Sequence, residues 1–180
     1  MERIDESPFF VGRQVILRAM EPEDLDFLYQ IENDTTLWPH GISNVPYSRY
    51  ALRQFIQESQ NDIYADRQLR LMVVLKESRE VIGCIDLFDY NVRHSRAEIG
   101  LVIAGPFQHR GLGHEALALL LRYAFSFLRL HQVYAYVVSK NTPAIHLFEH
   151  IGFERVAVLK DWIQENGVYR NVDLYTLCQD

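Results

Sequence analysis

A single carboxylate, Glu98, interrupts the apolar run Ala97-Glu98-Ile99-Gly100-Leu101-Val102-Ile103, and a turn follows at once: Gly105-Pro106-Phe107-Gln108-His109-Arg110-Gly111-Leu112-Gly113-His114-Glu115-Ala116. Two kinds of chemistry follow from these residue types. A carboxylate partly buried in an apolar strand has its pKa raised toward neutrality, where it serves as a proton acceptor. Glycines between a strand and a helix let the backbone take positive φ and let a bulky anion approach without meeting a Cβ. The helix behind aims its first N–H groups at the same place. At roughly 1.5–3 kcal/mol per charge-assisted hydrogen bond, several such contacts hold a pyrophosphate. The expected ligand is a phosphate-bearing cofactor.

Other readings of the turn are a simple strand-to-helix connection in a core, a dinucleotide fingerprint, and a Walker-type loop. Gly111-Leu112-Gly113-His114-Glu115-Ala116 fits G-x-G-x-x-G/A, but that fingerprint needs an acidic residue about 20 positions on. The next strand candidate, Val133 to Val138, ends instead in Ser139-Lys140. No Gly-Lys-Ser/Thr follows the turn, which argues against the Walker loop.

Positioning these residues takes a whole domain. Arg13 to Met20 alternates as a first strand. Pro22 with Glu21, Glu23 and Asp24 opens a helix to about Asn33. A loop through Pro39, Gly41 and Pro46 leads to Ser48, which caps a helix with Ala51, Leu52, Phe55 and Ile56 on one stripe. Leu69 to Leu75 and Val81 to Asn91 read as a strand hairpin, and Ala97 to Ala104 as the next strand. After the turn, Leu117, Leu120, Leu121, Ala124, Phe125 and Leu128 form one wide helix face. Strand, helix and the strand Val133 to Val138 imply a parallel, right-handed crossover. Thr142 is the expected cap of a helix from Pro143 to Ile151. Phe153 to Trp162 and Val168 to Cys178 flank Asn166-Gly167, a strong hairpin signal.

Gln108-His109-Arg110-Gly111-Leu112-Gly113 fits Q/R-x-x-G-x-G/A. With Ala97 to Ile103 before it and Asn141 to Phe153 after it, the chain resembles the GNAT superfamily of acyl-CoA N-acyltransferases, in the branch of spermidine and ribosomal-protein N-terminal acetyltransferases. The resemblance runs from about residue 12 to 178. It implies an α/β (α+β) GNAT fold, with a mixed central sheet of about seven strands and helices on both faces, as one domain over residues 1–180.

It also implies acetyl-CoA as co-substrate, with no metal. Main-chain groups of Leu101, Val102 and Ile103 would pair with the pantetheine arm, and a donor near Val102 would polarise the thioester carbonyl. The amides of Gln108, His109, Arg110, Gly111, Leu112 and Gly113 would bind the pyrophosphate. Asn141 and the residue at Phe148 would touch the cofactor, and Glu98 would be the base. Many relatives carry Tyr, a general acid, where this chain has Phe148. The thiolate therefore leaves unaided or takes a proton from another group, such as Tyr136 or His146.

Primary-amine transfer suits an acidic chain of net charge -6. That charge argues against nucleic acid as the main partner. A polyamine needs carboxylates for its distal ammonium groups, and Glu32, Asp34, Asp86 and Asp89 are the candidates. A protein N-terminus, an aminoglycoside, or acyl-CoA sensing without turnover are the alternatives. Cys84 and Cys178 show neither metal nor disulfide spacing, as in a reducing compartment. Met1 to Pro8 has no signal-peptide pattern, so a cytoplasmic protein without membrane association is expected. Similar proteins commonly form dimers.

Overall fold

The structure, a computed structural model, describes residues 9–38, 45–59 and 62–179. In chain order the elements are β1 (Val15–Ala19), α1 (Leu25–Glu32), α2 (Arg49–Glu58), α3 (Ile63–Asp66), β2 (Leu69–Leu75), β3 (Val81–Asn91), β4 (Arg96–Ile103), α4 (Leu112–Arg122), β5 (Gln132–Val138), α5 (Thr142–His150), β6 (Glu154–Glu165) and β7 (Val168–Cys178). The seven strands form a sheet in the order β1-β2-β3-β4-β5-β7-β6. Pro39 and Gly41 of the expected loop, and Met1 to Pro8, lie outside the described residues. Among the described residues no helix is long and apolar enough to cross a membrane.

The chain divides into two compact units, Met1–Met20 with Gln60–Val133 and Gln179–Asp180, and Glu21–Ser59 with Tyr134–Cys178. In the first, β1 to β4 pair antiparallel in sequence order, with Leu17 opposite Val73, Met72 opposite Cys84 and Ile85 opposite Leu101. Helix α4 lies against β1, β3 and β4. It buries Leu112, Ala116, Leu117, Leu119, Leu120 and Leu121, each leucine contributing about 1.5–3 kcal/mol. This burial anchors the helix whose N-terminus follows the Gly-rich turn.

Helix α4 does not run on to Leu128 as its apolar spacing predicts. Tyr123–Phe127 is a π-helical turn closed by Leu128 N–H to the Tyr123 carbonyl. The widened turn stacks Tyr123 on Phe127, 5.3 Å between ring centres, and both meet Phe9. Aromatic contacts within the unit thus accompany the departure from α-geometry.

In the second unit α1 packs on α2. The expected single helix from Pro22 begins as a 3-10 turn, Pro22–Asp24, because Asp24 turns back: its Oδ2 accepts Glu21 N–H at 2.8 Å while its own N–H reaches the Glu21 carbonyl. Ser48 caps α2 by accepting Ala51 N–H, as expected. The β6–β7 hairpin closes at Asn166 (φ 49°) and Gly167 (φ 80°), the two left-handed positions of a type I′ turn.

Candidate functional site

The base candidate sits on β4, directly opposite Phe88 of β3. Ala97 and Ile99 point into the core, so strand alternation puts Glu98 on the other face. There it is half-buried, and burial pushes its carboxyl up from 4.5 to about 7, helped by the nearby negative charge of Asp89. Beyond Phe88 the β3–β4 register shifts, and Asp89 takes φ 49° within that bulge. Bulges re-aim side chains in this way. Neither Arg93 nor Arg96 forms an ion pair with Glu98 among the described residues.

Five residues further along β4 the strand ends at Ile103, and Gln108 reaches back to it. Its Nε2 donates to the Ile103 carbonyl at 2.7 Å. The first residue of the Gly-rich motif thus uses its side chain to tie the turn to the end of the strand. Leu101, Val102 and Ile103 remain paired to Ile85, Cys84 and Gly83.

The turn has two left-handed residues, His109 (φ 59°) and Gly111 (φ 77°). Positive φ was expected at both glycines. Gly113 is instead already the second residue of α4, because the helix starts at Leu112. Such left-handed kinks before a helix curl successive N–H groups toward one point. A Cβ added at Gly105 or Gly111 would meet nothing within 4 Å, so the space over the main chain can admit a ligand. Arg110 lies over the Phe107 ring at 5.7 Å. Beside it an open cleft of about 480 Å³ is lined by Arg13, Arg110, His114 and Arg122, with Glu115 as the one carboxylate. Glu115 accepts the Gln14 backbone N–H at 2.9 Å. The cradle and its surroundings therefore fit a phosphate-bearing group.

The acidic residues expected to hold an acceptor differ in what they have to offer. Asp86 is nearly buried and gripped by Arg70, whose Nε and Nη2 lie 2.7 and 3.1 Å from its two oxygens, so its charge is matched within the unit. Asp89 is exposed beside Glu98. In the second unit, Asp34 accepts the Thr36 hydroxyl at 2.6 Å and the Thr36 N–H at 2.9 Å, bonds that hold its carboxyl below the usual range. Glu32 ends α1, and its backbone carbonyl accepts the Trp38 indole N–H.

Asn141, not Thr142, caps α5: its Oδ1 accepts Ala144 N–H at 3.3 Å, and Thr142 is the first helical residue. The expected cap is off by one because Asn141 takes the Ncap position, just before Thr142 and Pro143 at N1 and N2. Phe148 is buried, edge-on to Phe153 at 5.0 Å and stacked on Tyr175 at 6.4 Å. Tyr136 is exposed and meets Tyr134 edge-on, and His146 is exposed on α5.

Two groups of the second unit escaped the sequence reading. Tyr175, buried on β7, donates to Glu149 Oε1 at 3.1 Å, and burial with that bond pushes its hydroxyl up to about 12. Asp173, also buried, accepts the Ser139 hydroxyl at 2.8 Å and faces Arg155 at 3.6 Å. Ser139 directly follows β5, so Asp173 fixes the bend leading to Asn141. An acidic residue between Val172 and Leu174 is the same signal that marks Glu98, and it marks Asp173 as well. Among the described residues no group of three or more His, Cys, Asp and Glu is placed to hold a metal ion.

Comparison with known proteins places this geometry among relatives. The sequence profile of the acetyltransferase (GNAT) domain matches residues 14–154. The spermidine N(1)-acetyltransferase of Vibrio cholerae serotype O1 is 30% identical over 162 residues, covering 90% of this chain and 91% of that protein. The crystal structure of the Vibrio cholerae spermidine N-acetyltransferase in complex with CoA and spermine matches at a TM-score of 0.84 and 27% identity, over 93% of this chain and 97% of that one. A dodecameric structure of the Vibrio cholerae enzyme matches at 0.79 and 28% identity, over 93% and 95%.

Proposed function

Because the chain belongs to the GNAT acetyltransferase family, and is thus an N-acetyltransferase that uses acetyl-CoA, we propose that its acceptor is a polyamine such as spermidine, acetylated by direct attack with Glu98 as base. The observation that carries this reading is a carboxyl poised at about 7 on the strand whose end is tied to an anion cradle.

The residues divide the work as follows. The amides from Gln108 to Gly113 grip the pyrophosphate, with Arg110 adding charge. Main-chain groups of Leu101, Val102 and Ile103 align the pantetheine arm and give a hydrogen bond to the thioester carbonyl, strengthening as that oxygen becomes an oxyanion. An ammonium of pKa about 10.4 must lose its proton near neutrality at a cost of roughly 4–5 kcal/mol. Glu98 takes that proton, and the freed lone pair attacks the carbonyl carbon. The carbon–sulfur bond then breaks, the sulfur departs with its electron pair, and the second proton on the attacking nitrogen passes to solvent as the amide forms.

The departing sulfur needs no acid in this chain. A thiol ionises at about 8.5, so its thiolate leaves readily. Phe148 carries no proton, and the Tyr175 hydroxyl, held at about 12 and committed to Glu149, is too weak an acid to help.

A polyamine is supported by the names of the relatives and by Asp89 beside Glu98, a second negative group for a second ammonium. Glu32 and Asp34 are the remaining acceptor candidates in this reading and Asn141 a contact of the cofactor, with Asp86 contributing least because Arg70 matches its charge. We read both compact units as one catalytic domain, since the family profile runs through both. Its place is the cytoplasm, with the acetyl-CoA pool. We also infer self-association, supported by the dodecameric relative and by Val156, Val158 and Trp162 exposed on β6.

The test is free-thiol release from acetyl-CoA with spermidine, spermine, putrescine, an aminoglycoside and a peptide N-terminus. Turnover strongest with spermidine or spermine is expected. Failure of all three polyamines removes the acceptor assignment, and turnover of the peptide alone replaces it.

A further inference from the structure

Within the first unit, the segment from Phe9 to Gln14 runs along α4 and the π-turn behind it. At one end Phe9 meets Tyr123 and Phe127, and Phe10 meets Tyr123, with ring centres 4.9 to 6.1 Å apart. Beyond them Val11 bridges Ile16 and the Gly12 N–H reaches the Val15 carbonyl at 2.9 Å, so the chain doubles back in a tight turn before β1. Glu115 of α4 is seated in that turn. Its Oε1 accepts the Gln14 N–H at 2.9 Å, and its Oε2 lies 3.5 Å from the Gln14 side-chain nitrogen. The seat exists because residue 12 has no side chain: a Cβ there would stand 2.2 Å from Oε1 of Glu115, as well as 3.0 Å from the Val15 carbonyl oxygen. Lys76 braces the turn from β2, its N–H on the Gln14 carbonyl at 2.8 Å and its Nζ 3.2 Å from the Gly12 carbonyl.

Through its backbone the same residue is tied to the cradle. The Glu115 N–H closes the first turn of α4 on the Gly111 carbonyl at 3.1 Å. That carbonyl and the Leu112 N–H belong to one planar trans peptide and point in opposite directions. Holding the carbonyl therefore aims an N–H out of the helix start, where the cradle lies. Gly111, at φ 77° and without a side chain, adds little restraint of its own. Charge does not explain the residue, since a carboxylate in this turn opposes an anion bound there, and the cleft beside it is otherwise lined by Arg13, Arg110, His114 and Arg122.

We propose that Glu115 is a positioning residue for acetyl-CoA: clamped to the turn at Gly12 and Gln14, it fixes the first turn of α4 and with it the amides that face the diphosphate. This rests on the reading that the amides from Gln108 to Gly113 grip that group. Loss of the clamp weakens cofactor binding and leaves the acetyl step alone.

The experiment separates the bond from the charge. Glu115→Ala removes both, Glu115→Gln removes the charge but keeps an oxygen for the Gln14 N–H, and Gly12→Ala keeps the charge but drives the carboxylate from its seat. Calorimetric titration with coenzyme A is expected to show about three- to tenfold weaker binding in Glu115→Ala and in Gly12→Ala, no further loss when the two are combined, and wild-type or tighter binding in Glu115→Gln. The KM for acetyl-CoA should follow the affinity, with kcat within about twofold. Phe127→Ala, at the other end of the segment, should lower Tm and leave coenzyme A affinity within about twofold.

Unchanged or tighter binding in Glu115→Ala, which charge alone predicts, overturns the proposal, as does a loss in Phe127→Ala equal to that in Glu115→Ala. Additive losses in the combined variant overturn it too. Should Gly12→Ala not fold, the two Glu115 variants decide by themselves. The wild-type Gly111 and Gly113 amide resonances test the underlying reading: if coenzyme A leaves them unmoved, cradle and clamp fall together, and if they move while Glu115→Ala binds as the wild type does, the clamp alone falls.

Discussion

Replacing Glu98 with Gln preserves the shape of the side chain and removes its ability to take a proton. The carboxyl is pushed from 4.5 to about 7, first by burial opposite Phe88 and then by Asp89. At 1.36 kcal/mol per pKa unit this is roughly 3 kcal/mol, and partial exposure screens it to about 1–2 kcal/mol. The folded pKa lies above the unfolded one, so the folded state favours the protonated form. The stabilisation is complete below 4.5 and disappears as pH rises through about 7. The wild-type Tm should therefore fall relative to Glu98→Gln between those values. Activity runs the other way, because only the ionised carboxylate is a base: wild-type kcat/KM climbs along an acid limb centred near 7. In Glu98→Gln that limb vanishes and kcat/KM drops by about 10²–10⁴-fold. A pH–rate series from 5.5 to 9 with saturating acetyl-CoA reads both effects. A variant that keeps the limb, or keeps kcat/KM within about threefold, refutes Glu98 as base.

Gly111→Ala meets no steric obstacle, since nothing lies within 4 Å, but places a Cβ at φ 77°. It should lose about 1–2 kcal/mol in urea unfolding with the α4 core intact. Tyr175→Phe removes the hydrogen bond to Glu149 and should cost about 0.5–1.5 kcal/mol. Its kcat should match the wild type throughout the pH series, and a variant slower than the wild type across that whole range would make Tyr175 the missing acid.

How far the residues alone reach is clearest on individual elements. The bounds of β2, β3 and β7 follow from alternating β-branched and aromatic residues closed by turn residues, and the Asn166-Gly167 turn from its need for two positive φ angles. The cap of α5 slips by one, because Asn141 and Thr142 are both competent caps and only the bond to Ala144 N–H selects between them. The end of α4 is missed because the π-turn accompanies an edge-on contact of Tyr123 with Phe9, residues over a hundred positions apart.

The chemistry divides along the same line. Glu98 among apolar neighbours, and a Gln-x-x-Gly-x-Gly turn before a helix, are local patterns whose meaning travels with the chain, so the strand, the cradle and the class of reaction are legible without coordinates. Registers are not local. That Arg70 neutralises Asp86, that Asp173 holds Ser139, and that the carbonyl of Val102 fills the space beside Gly83 each depend on which residues pairing brings face to face. A one-residue slip would place every side chain of a strand on the opposite face, and only the folded sheet decides which slip is avoided.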